Sequence, residues 1–289
     1  MEELRAYTPE EIILSNLSEL TERFGACREQ QQAHLRELAD EIAPGMRDGA
    51  AFLASLADVG AELDRTVEPD RAHTAKAQLA CELFRLLPND GSIWQDWFFP
   101  PAEEISAAAH NRIAYQRSGY TDIAFERFSA VLRDARATYP HTLRAVCDEV
   151  AMGSCEYCIL PLESSGEGRL HAFVSLMDAY NLKIAASCPV PVGDGRVTNY
   201  GLLRRSLAIL RPNEKLPRLL EIRGETAEGT PEGVLCGARV CGLSPIRAEW
   251  ANGRLTADFA PGGNTGAFLL FLALAYPRIE ITGFFRHLD

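Results

Sequence analysis

In the last third of the chain, short apolar segments with strand-like and helix-like spacing follow one another in an order that is compatible with few known folds. Asn252-Gly253 falls between two strand-like segments and is a strong hairpin signal. The resulting β-α-β-β-α-β order predicts a ferredoxin-like unit. The sheet of such a unit leaves edges unpaired, so a second copy is expected to pair there as a homodimer. The predicted strands cover 216–223, 246–251, 254–259 and 279–285, and the predicted helices cover 231–241 and 264–275.

The middle of the chain alternates strands with helices in a simpler way. The run 157–161 is continuously apolar, which is typical of a strand buried on both faces of a parallel sheet. Strands alternating with helices predict an α/β layer with a parallel sheet. The other predicted strands cover 112–115 and 182–186, and the helices cover 123–135, 143–152 and 170–180.

The first hundred residues follow helical spacing throughout. Thr8-Pro9 supplies a hydroxyl cap and a proline at the first helical position, and Pro44-Gly45 ends the first helix. Two further helices are predicted over 48–66 and 70–87. The predicted fold class is therefore mixed, α/β and α+β. It divides into a helical domain over 1–105, a small parallel α/β lobe over 106–200 and a ferredoxin-like domain over 201–289.

Composition excludes several classes of partner. The 289-residue chain carries a formal net charge of −11, which repels nucleic-acid phosphates, so no nucleic-acid partner is expected. No apolar run reaches the roughly 18 residues of a membrane span, and the first residues contain no secretory apolar region. These features predict a cytoplasmic protein without a membrane partner.

Cysteines and histidines offer no metal or redox site. Cys155 and Cys158 have CxxC spacing, but the residues around them form a buried strand, and no second pair lies at suitable spacing. Both thiols are therefore interpreted as core residues. The six histidines show no paired ligand spacing. No metal ion and no cofactor are expected.

The segment 112–184 resembles the first lobe of prephenate dehydratases. Residues 112–124 resemble the family's first strand, glycine turn and helix start, and residues 150–161 resemble its "V-x-x-G-x-A-D-Y-G-V-x-P" stretch. Residues 162–168 are similar to the "I-E-N-S-x-x-G" loop, which is the most specific of the three matches.

The segment 201–289 resembles an ACT domain of the kind appended to those enzymes. Residues 231–235 are similar to the "P-G-A-L" helix start, and residues 243–250 occupy the place of "L-T-K-I-E-S-R-P". In the family this domain binds phenylalanine at a domain interface. The resemblance therefore implies a small carboxylate or an aromatic amino acid as partner. The implied ligand residues are Pro231, Glu232, Gly233, Val234, Leu235, Arg247 and Glu249.

The dehydratase chemistry is expected to be lost. The family marker Thr-Arg-Phe is best matched by Thr198-Asn199-Tyr200, and an asparagine cannot replace a guanidinium that holds a carboxylate. Only about ten residues separate the strand ending near Ala186 from the one starting near Val197, too few for the family's second lobe. Thr198, Glu163 and Ser165 are the implied catalytic remnant, although a loop after a buried strand also explains the last two.

The favoured hypothesis is a catalytically degenerate prephenate dehydratase-like protein of the aromatic amino-acid branch that regulates by binding a ligand at its ACT domain. Two alternatives stay open. The first is an active enzyme, either a dehydratase or a chorismate mutase, whose helical domain would use cations such as those at positions 23, 28, 36, 47 and 76. The second is a structural assembly module.

Overall fold

The computed structural model describes residues 9–87, 93–99, 105–193, 195–207, 218–226, 231–251, 253–262 and 264–288. The chain begins with the helices α1 (Pro9–Ile42), α2 (Gly49–Thr66), α3 (Pro69–Leu86) and α4 (Ile93–Phe98), and a short 3-10 helix (Ala43–Arg47) follows α1. The helices predicted from the sequence are therefore present. Asp48 caps α2 by accepting a hydrogen bond from the backbone of Ala51 at 3.2 Å.

The middle of the chain contains the predicted strands and helices together with strands that were not predicted. Its elements are β1 (Arg112–Ala114), α5 (Gly119–Ser129), β2 (Arg136–Thr138), α6 (Leu143–Ala151), β3 (Tyr157–Ser164), β4 (Gly168–Arg169), α7 (His171–Ala179), β5 (Lys183–Pro191) and β6 (Val197–Arg204). The prediction for α5 was wrong at both ends. The helix starts earlier because Ser118 and Thr121 form a capping box, and it stops at Ser129, before the short strand β2.

The last third has the predicted β-α-β-β-α-β order. Its elements are β7 (Arg218–Glu225), α8 (Glu232–Val240), β8 (Ser244–Ala251), β9 (Arg254–Ala260), α9 (Thr265–Ala275) and β10 (Ile279–His287). Gly253 turns between β8 and β9 with φ of 78°, a conformation that favours glycine. Asn252 of the predicted hairpin, and residues 216–217 of the first predicted strand, lie outside the described residues.

All ten described strands join in one sheet, in the order β2-β1-β3-β6-β5-β10-β7-β9-β8, with β4 paired to β3. The parallel sheet predicted for the middle of the chain is present where β1 pairs with β2 and with β3, but β6 departs from it. β6 runs antiparallel to both β3 and β5, and the backbone N–H of Val192 donates to the carbonyl of Arg196 at 2.9 Å where β5 turns into β6. β5 also pairs in parallel with β10, for example Ser187 with His287, so the middle and the last third share the sheet.

The N-terminal helices pack on the last third of the chain. α9 is apolar on every side because it lies between the sheet and α2 and α3, and nine of its residues are buried. α2 approaches α9 so closely that a Cβ on Gly60 would lie 1.7 Å from the carbonyl oxygen of Leu274. One core therefore joins residues from Leu35 to Phe284.

Candidate functional site

The face of β7 and β9 that points away from the helices carries buried charge. On β7, Leu220 and Ile222 point into the helix-side core, so the alternating Glu221 and Arg223 point to the opposite face. Asp258 on β9 alternates with core residues in the same way. The side chains of Glu221 and Arg223 are only 2% and 3% exposed. Such charges persist in a protein interior only when they are paired.

Glu221 is the centre of this cluster. Its carboxylate accepts hydrogen bonds from Arg169 at 2.7 Å, from Arg223 at 3.1 Å and from the hydroxyl of Thr282 at 2.7 Å. Burial opposes ionisation, but the charges of Arg169 and Arg223 and the hydrogen bonds outweigh it and hold the pKa of Glu221 below its ordinary value. Glu221 is therefore the carboxylate that neutralises both buried arginines.

Asp258 is the second buried carboxylate. It accepts a hydrogen bond from Arg247 at 2.6 Å and lies 3.6 Å from Arg169. Desolvation, followed by the charge of Glu221, raises the pKa of Asp258 to about 6, against the opposing effect of the arginines. Of the two carboxylates, Asp258 is thus the one that takes up a proton near pH 6.

A cavity of about 540 Å³ opens beside this cluster, and we call it the Glu163–Arg247 cavity. Strands from the middle and from the last third of the chain contribute to its lining. Ser187 and His287, paired across β5 and β10, form one edge through a hydrogen bond of 2.9 Å. The polar lining residues are Glu163, Arg169, Ser187, Asn199, Glu221, Arg247, Asp258 and His287, and the apolar ones are Leu162, Leu219, Ile246 and Phe285.

The cavity brings together two residues that the sequence assigned to different sites. Glu163, predicted as a catalytic remnant, forms an ion pair with Arg247, predicted as an ACT ligand residue. Both side chains are about one third exposed or less, at 26% and 33%. Arg247 also pairs with Asp258, so its guanidinium has carboxylates on two sides.

The other two residues of the predicted catalytic remnant lie elsewhere. The hydroxyl of Ser165 accepts a hydrogen bond from the backbone of Val197 at 3.0 Å, which ties the loop to β6. Thr198 alternates with Asn199 on β6 and shares the face of Tyr200, which packs in the core beside α5. Thr198 and Glu163 therefore point to opposite faces of the sheet.

The predicted ACT ligand residues are also divided between two faces. Gly233 and Val234 lie under α3: a Cβ on Gly233 would meet the hydroxyl of Tyr276 at 2.0 Å, and Val234 is fully buried. Pro231, Glu232 and Leu235 accompany them at the start of α8 and are at least partly exposed. On the other face, Glu249 lies 3.6 Å from His171, and Arg247 faces the cavity.

Sequence reasoning did not select Arg169, Ser187, Asp258 or His287. A signal for Glu221 and Asp258 was present, because each carboxylate has apolar residues on both sides within a strand, Leu220 and Ile222 around Glu221 and Ala257 and Phe259 around Asp258. Inward-pointing charges of this kind indicate a buried ion-pair partner. Ser187 and His287 carried no such signal, since they are 100 positions apart and meet only through the pairing of β5 with β10.

The CxxC cysteines lie in the core. Cys155 and Cys158 are both buried, and burial raises the pKa of Cys155. The hydrogen bond with the Cys147 thiol is the largest cause, and desolvation the second, of a pKa of Cys158 well above its ordinary value.

Within the described part of the chain, no three histidine, cysteine, aspartate or glutamate side chains lie close enough together to form a metal site. No helix among the described residues has the length and apolarity to cross a membrane.

Comparison with known proteins gives a fold relationship. No profile of a known protein family matches the chain, and no curated protein sequence does. A prephenate dehydratase from Streptococcus mutans is similar in structure, with a TM-score of 0.50 and 15% identity, over 62% of this chain and 99% of that one. The chain therefore has a prephenate dehydratase-like fold.

Two further solved structures are similar at lower TM-scores. One is GqqA, described as a novel type of quorum-quenching acylase, with a TM-score of 0.46 and 19% identity over 61% of this chain and 95% of that one. The other is a prephenate dehydratase from Arthrobacter aurescens in complex with L-Phe, with a TM-score of 0.47 and 11% identity over 61% of this chain and 90% of that one.

Proposed function

We propose that this prephenate dehydratase-like protein does not dehydrate prephenate, and that it binds a free amino acid as a zwitterion in the Glu163–Arg247 cavity. The observation that carries the proposal is that both arginines lining the cavity are already paired with carboxylates lining it. Arg169 pairs with Glu221, and Arg247 pairs with Glu163 and Asp258.

A dianion does not suit this arrangement. Prephenate carries two carboxylates, and binding them requires cations whose charge is not already neutralised. In the cavity, three carboxylates face two guanidinium groups. Two additional negative charges would take cations from Glu163 and Asp258 and leave those carboxylates desolvated and unpaired, at a cost of several kcal/mol.

A zwitterion does suit it. An amino acid brings one ammonium and one carboxylate. The ion pair between Glu163 and Arg247 is then replaced by two pairs, one between Glu163 and the ligand ammonium and one between Arg247 and the ligand carboxylate. The net charge of the cavity does not change. The pair between Glu163 and Arg247 is the partly exposed one, whereas Glu221 and Arg169 are almost fully buried. Leu219, Ile246 and Phe285 supply an apolar surface for an aromatic side chain.

The proposal assigns different parts to the residues implied by the ACT resemblance. Arg247 receives the ligand carboxylate. The start of α8 does not contact the ligand; Gly233 and Val234 pack there under α3 and support the sheet from the helix side. Among the described strands β8 lies at the edge of the sheet, and its Ile246 is 59% exposed. We therefore propose that a second copy pairs at β8, beside the cavity, so that ligand binding regulates the dimer.

Calorimetric titration with three ligands tests the proposal. We expect L-phenylalanine to bind, and 3-phenylpropionate and 2-phenylethylamine to bind at least about tenfold more weakly, because each lacks one charged hydrogen-bonding group. Glu163→Gln should weaken L-phenylalanine binding to a similar extent. Glu167→Gln, an exposed change in the same loop and outside the cavity, is the matched control and should leave affinity unchanged. Equal binding of 3-phenylpropionate, or an affinity unaffected by Glu163→Gln, would contradict the proposal.

A further inference from the structure

Two cysteines from distant parts of the chain meet where α3 packs on α8. The sulfur of Cys81, on α3, lies 3.9 Å from the sulfur of Cys241, the residue that follows the last turn of α8. All eight cysteines of the chain are free thiols. Sequence spacing did not indicate this pair, because 160 positions separate the two residues. The two sulfurs are in contact, and they are about 2 Å farther apart than the bonded sulfurs of a disulfide.

The two thiols differ in their access to solvent. Cys81 is partly exposed, whereas Cys241 is fully buried in the core that joins the helices to the last third of the chain. Cys81 is therefore the thiol of the pair that an oxidant in solution reaches first. Cysteines that respond to oxidants combine such access with a neighbouring thiol that displaces the oxidised group.

The hydrogen bond between the thiols favours the thiolate form of Cys81. This bond is the largest cause of a lowered pKa of Cys81, and it outweighs burial and the charge of Glu82, which both act in the opposite direction. The same bond and burial raise the pKa of Cys241. Because the thiolate is the nucleophilic form of cysteine, Cys81 is the member of the pair that attacks an oxidant.

A second thiol pair has the same contact without the exposure. Cys147 and Cys158 are joined by a hydrogen bond between their thiols, which is also the largest cause of a lowered pKa of Cys147. Both residues are fully buried. The two pairs therefore share their chemistry and differ in solvent access, so the buried pair is an internal control for the exposed one.

We propose that Cys81 and Cys241 form a reversible dithiol–disulfide site that a hydroperoxide oxidises. The Cys81 thiolate attacks an oxygen of hydrogen peroxide, the O–O bond breaks, and the released hydroxide leaves as water with the proton that Cys81 gave up. The product is a sulfenic acid on Cys81. The sulfur of Cys241 then attacks the sulfur of Cys81, the S–S bond forms, the S–O bond breaks, and the hydroxyl leaves with the Cys241 proton as a second water. Two thiols lose two electrons in total, one peroxide gains them, and the disulfide ties α3 to the end of α8.

Mass spectrometry of the oxidised protein tests this inference. The native protein is treated with hydrogen peroxide, its remaining thiols are alkylated, and the digest is searched for peptides joined by a disulfide. We expect a peptide pair joined through Cys81 and Cys241 that is lost on reduction with dithiothreitol. It should form at least about tenfold faster than a link between Cys147 and Cys158, because the oxidant reaches only the first pair from solvent. The absence of the Cys81–Cys241 link in the native protein, or equal rates for the two pairs, would overturn the inference.

Two single variants test which thiol is oxidised first. Cys241→Ser retains the exposed thiol without the sulfur that displaces the hydroxyl, so Cys81 should accumulate as a sulfenic acid that dimedone labels more strongly than in the wild type. In Cys81→Ser, the buried Cys241 should stay a free thiol. Both variants carry Cys27→Ser and Cys236→Ser, because those two cysteines are exposed and would react as well. Equal dimedone labelling of Cys241 in the one variant and of Cys81 in the other would contradict the assignment of Cys81 as the first thiol oxidised.

Discussion

Glu221→Ala is expected to lower the free energy of unfolding by about 3–5 kcal/mol, which is the cost of removing one partner from a buried ion pair. Glu221 is the carboxylate that Arg169 and Arg223 share, and both guanidinium groups are buried. Without it, Arg169 keeps only Asp258, 3.6 Å away, among the described carboxylates. Urea unfolding followed by circular dichroism measures the loss.

Two further variants make this result interpretable. Glu221→Gln keeps an acceptor for Thr282 but removes the charge. Its free energy of unfolding should lie between those of the wild type and Glu221→Ala, and it can still be measured if the alanine variant does not fold. Glu225→Ala lies on the same strand, but its exposed carboxylate is 3.9 Å from Arg278, so it should cost about 0–1 kcal/mol. Similar losses for Glu221→Ala and Glu225→Ala would show that the arginines are not effectively buried.

Asp258→Asn is expected to change how stability depends on pH. The pKa of Asp258 is raised from 3.8 to about 6 in the folded chain, so the folded state binds more protons than the unfolded state between these values. Ionisation of Asp258 therefore weakens the wild-type fold as the pH rises from 4 to 7. The variant lacks this titration, so its free energy of unfolding relative to the wild type should rise between pH 4 and pH 7 by about 2–3 kcal/mol, since one pKa unit corresponds to about 1.4 kcal/mol.

Urea unfolding of both proteins at pH 4, 5, 6 and 7 measures this difference. Titrating groups that do not interact with Asp258 contribute equally to both proteins, so their pH dependence cancels in the comparison. A difference that stays constant over the range would show that Asp258 is not desolvated, and a difference that changes in the opposite direction would show that the arginines dominate its environment.

Local signals were sufficient to predict the last third of the fold. Asn252-Gly253 placed the hairpin, and the apolar run of α9 placed a helix that is buried on all sides. Neither signal depends on distant residues. The pairing of β5 with β10 was not predictable in this way, because parallel pairing of strands almost 100 residues apart leaves no turn to identify it.

The candidate site was predicted only in fragments for the same reason. Glu163 was selected from a loop motif and Arg247 from a helix-and-strand resemblance, and the two were assigned to separate sites. They form an ion pair although five strands, β6, β5, β10, β7 and β9, separate β3 from β8 in the order of the sheet. Because of this contact, each arginine that lines the cavity is already paired with a carboxylate. Neither motif alone could have predicted that pairing.

The central claim is that this protein does not dehydrate prephenate. The most direct test is to incubate the purified protein with prephenate and to measure the rate at which phenylpyruvate forms. Because Arg169 and Arg247 are neutralised by carboxylates within the cavity, phenylpyruvate should form no faster than it does without protein. Turnover in the ordinary enzymatic range, about 1 per second or faster, would contradict the claim and show that the cavity accepts the dianion despite its three carboxylates.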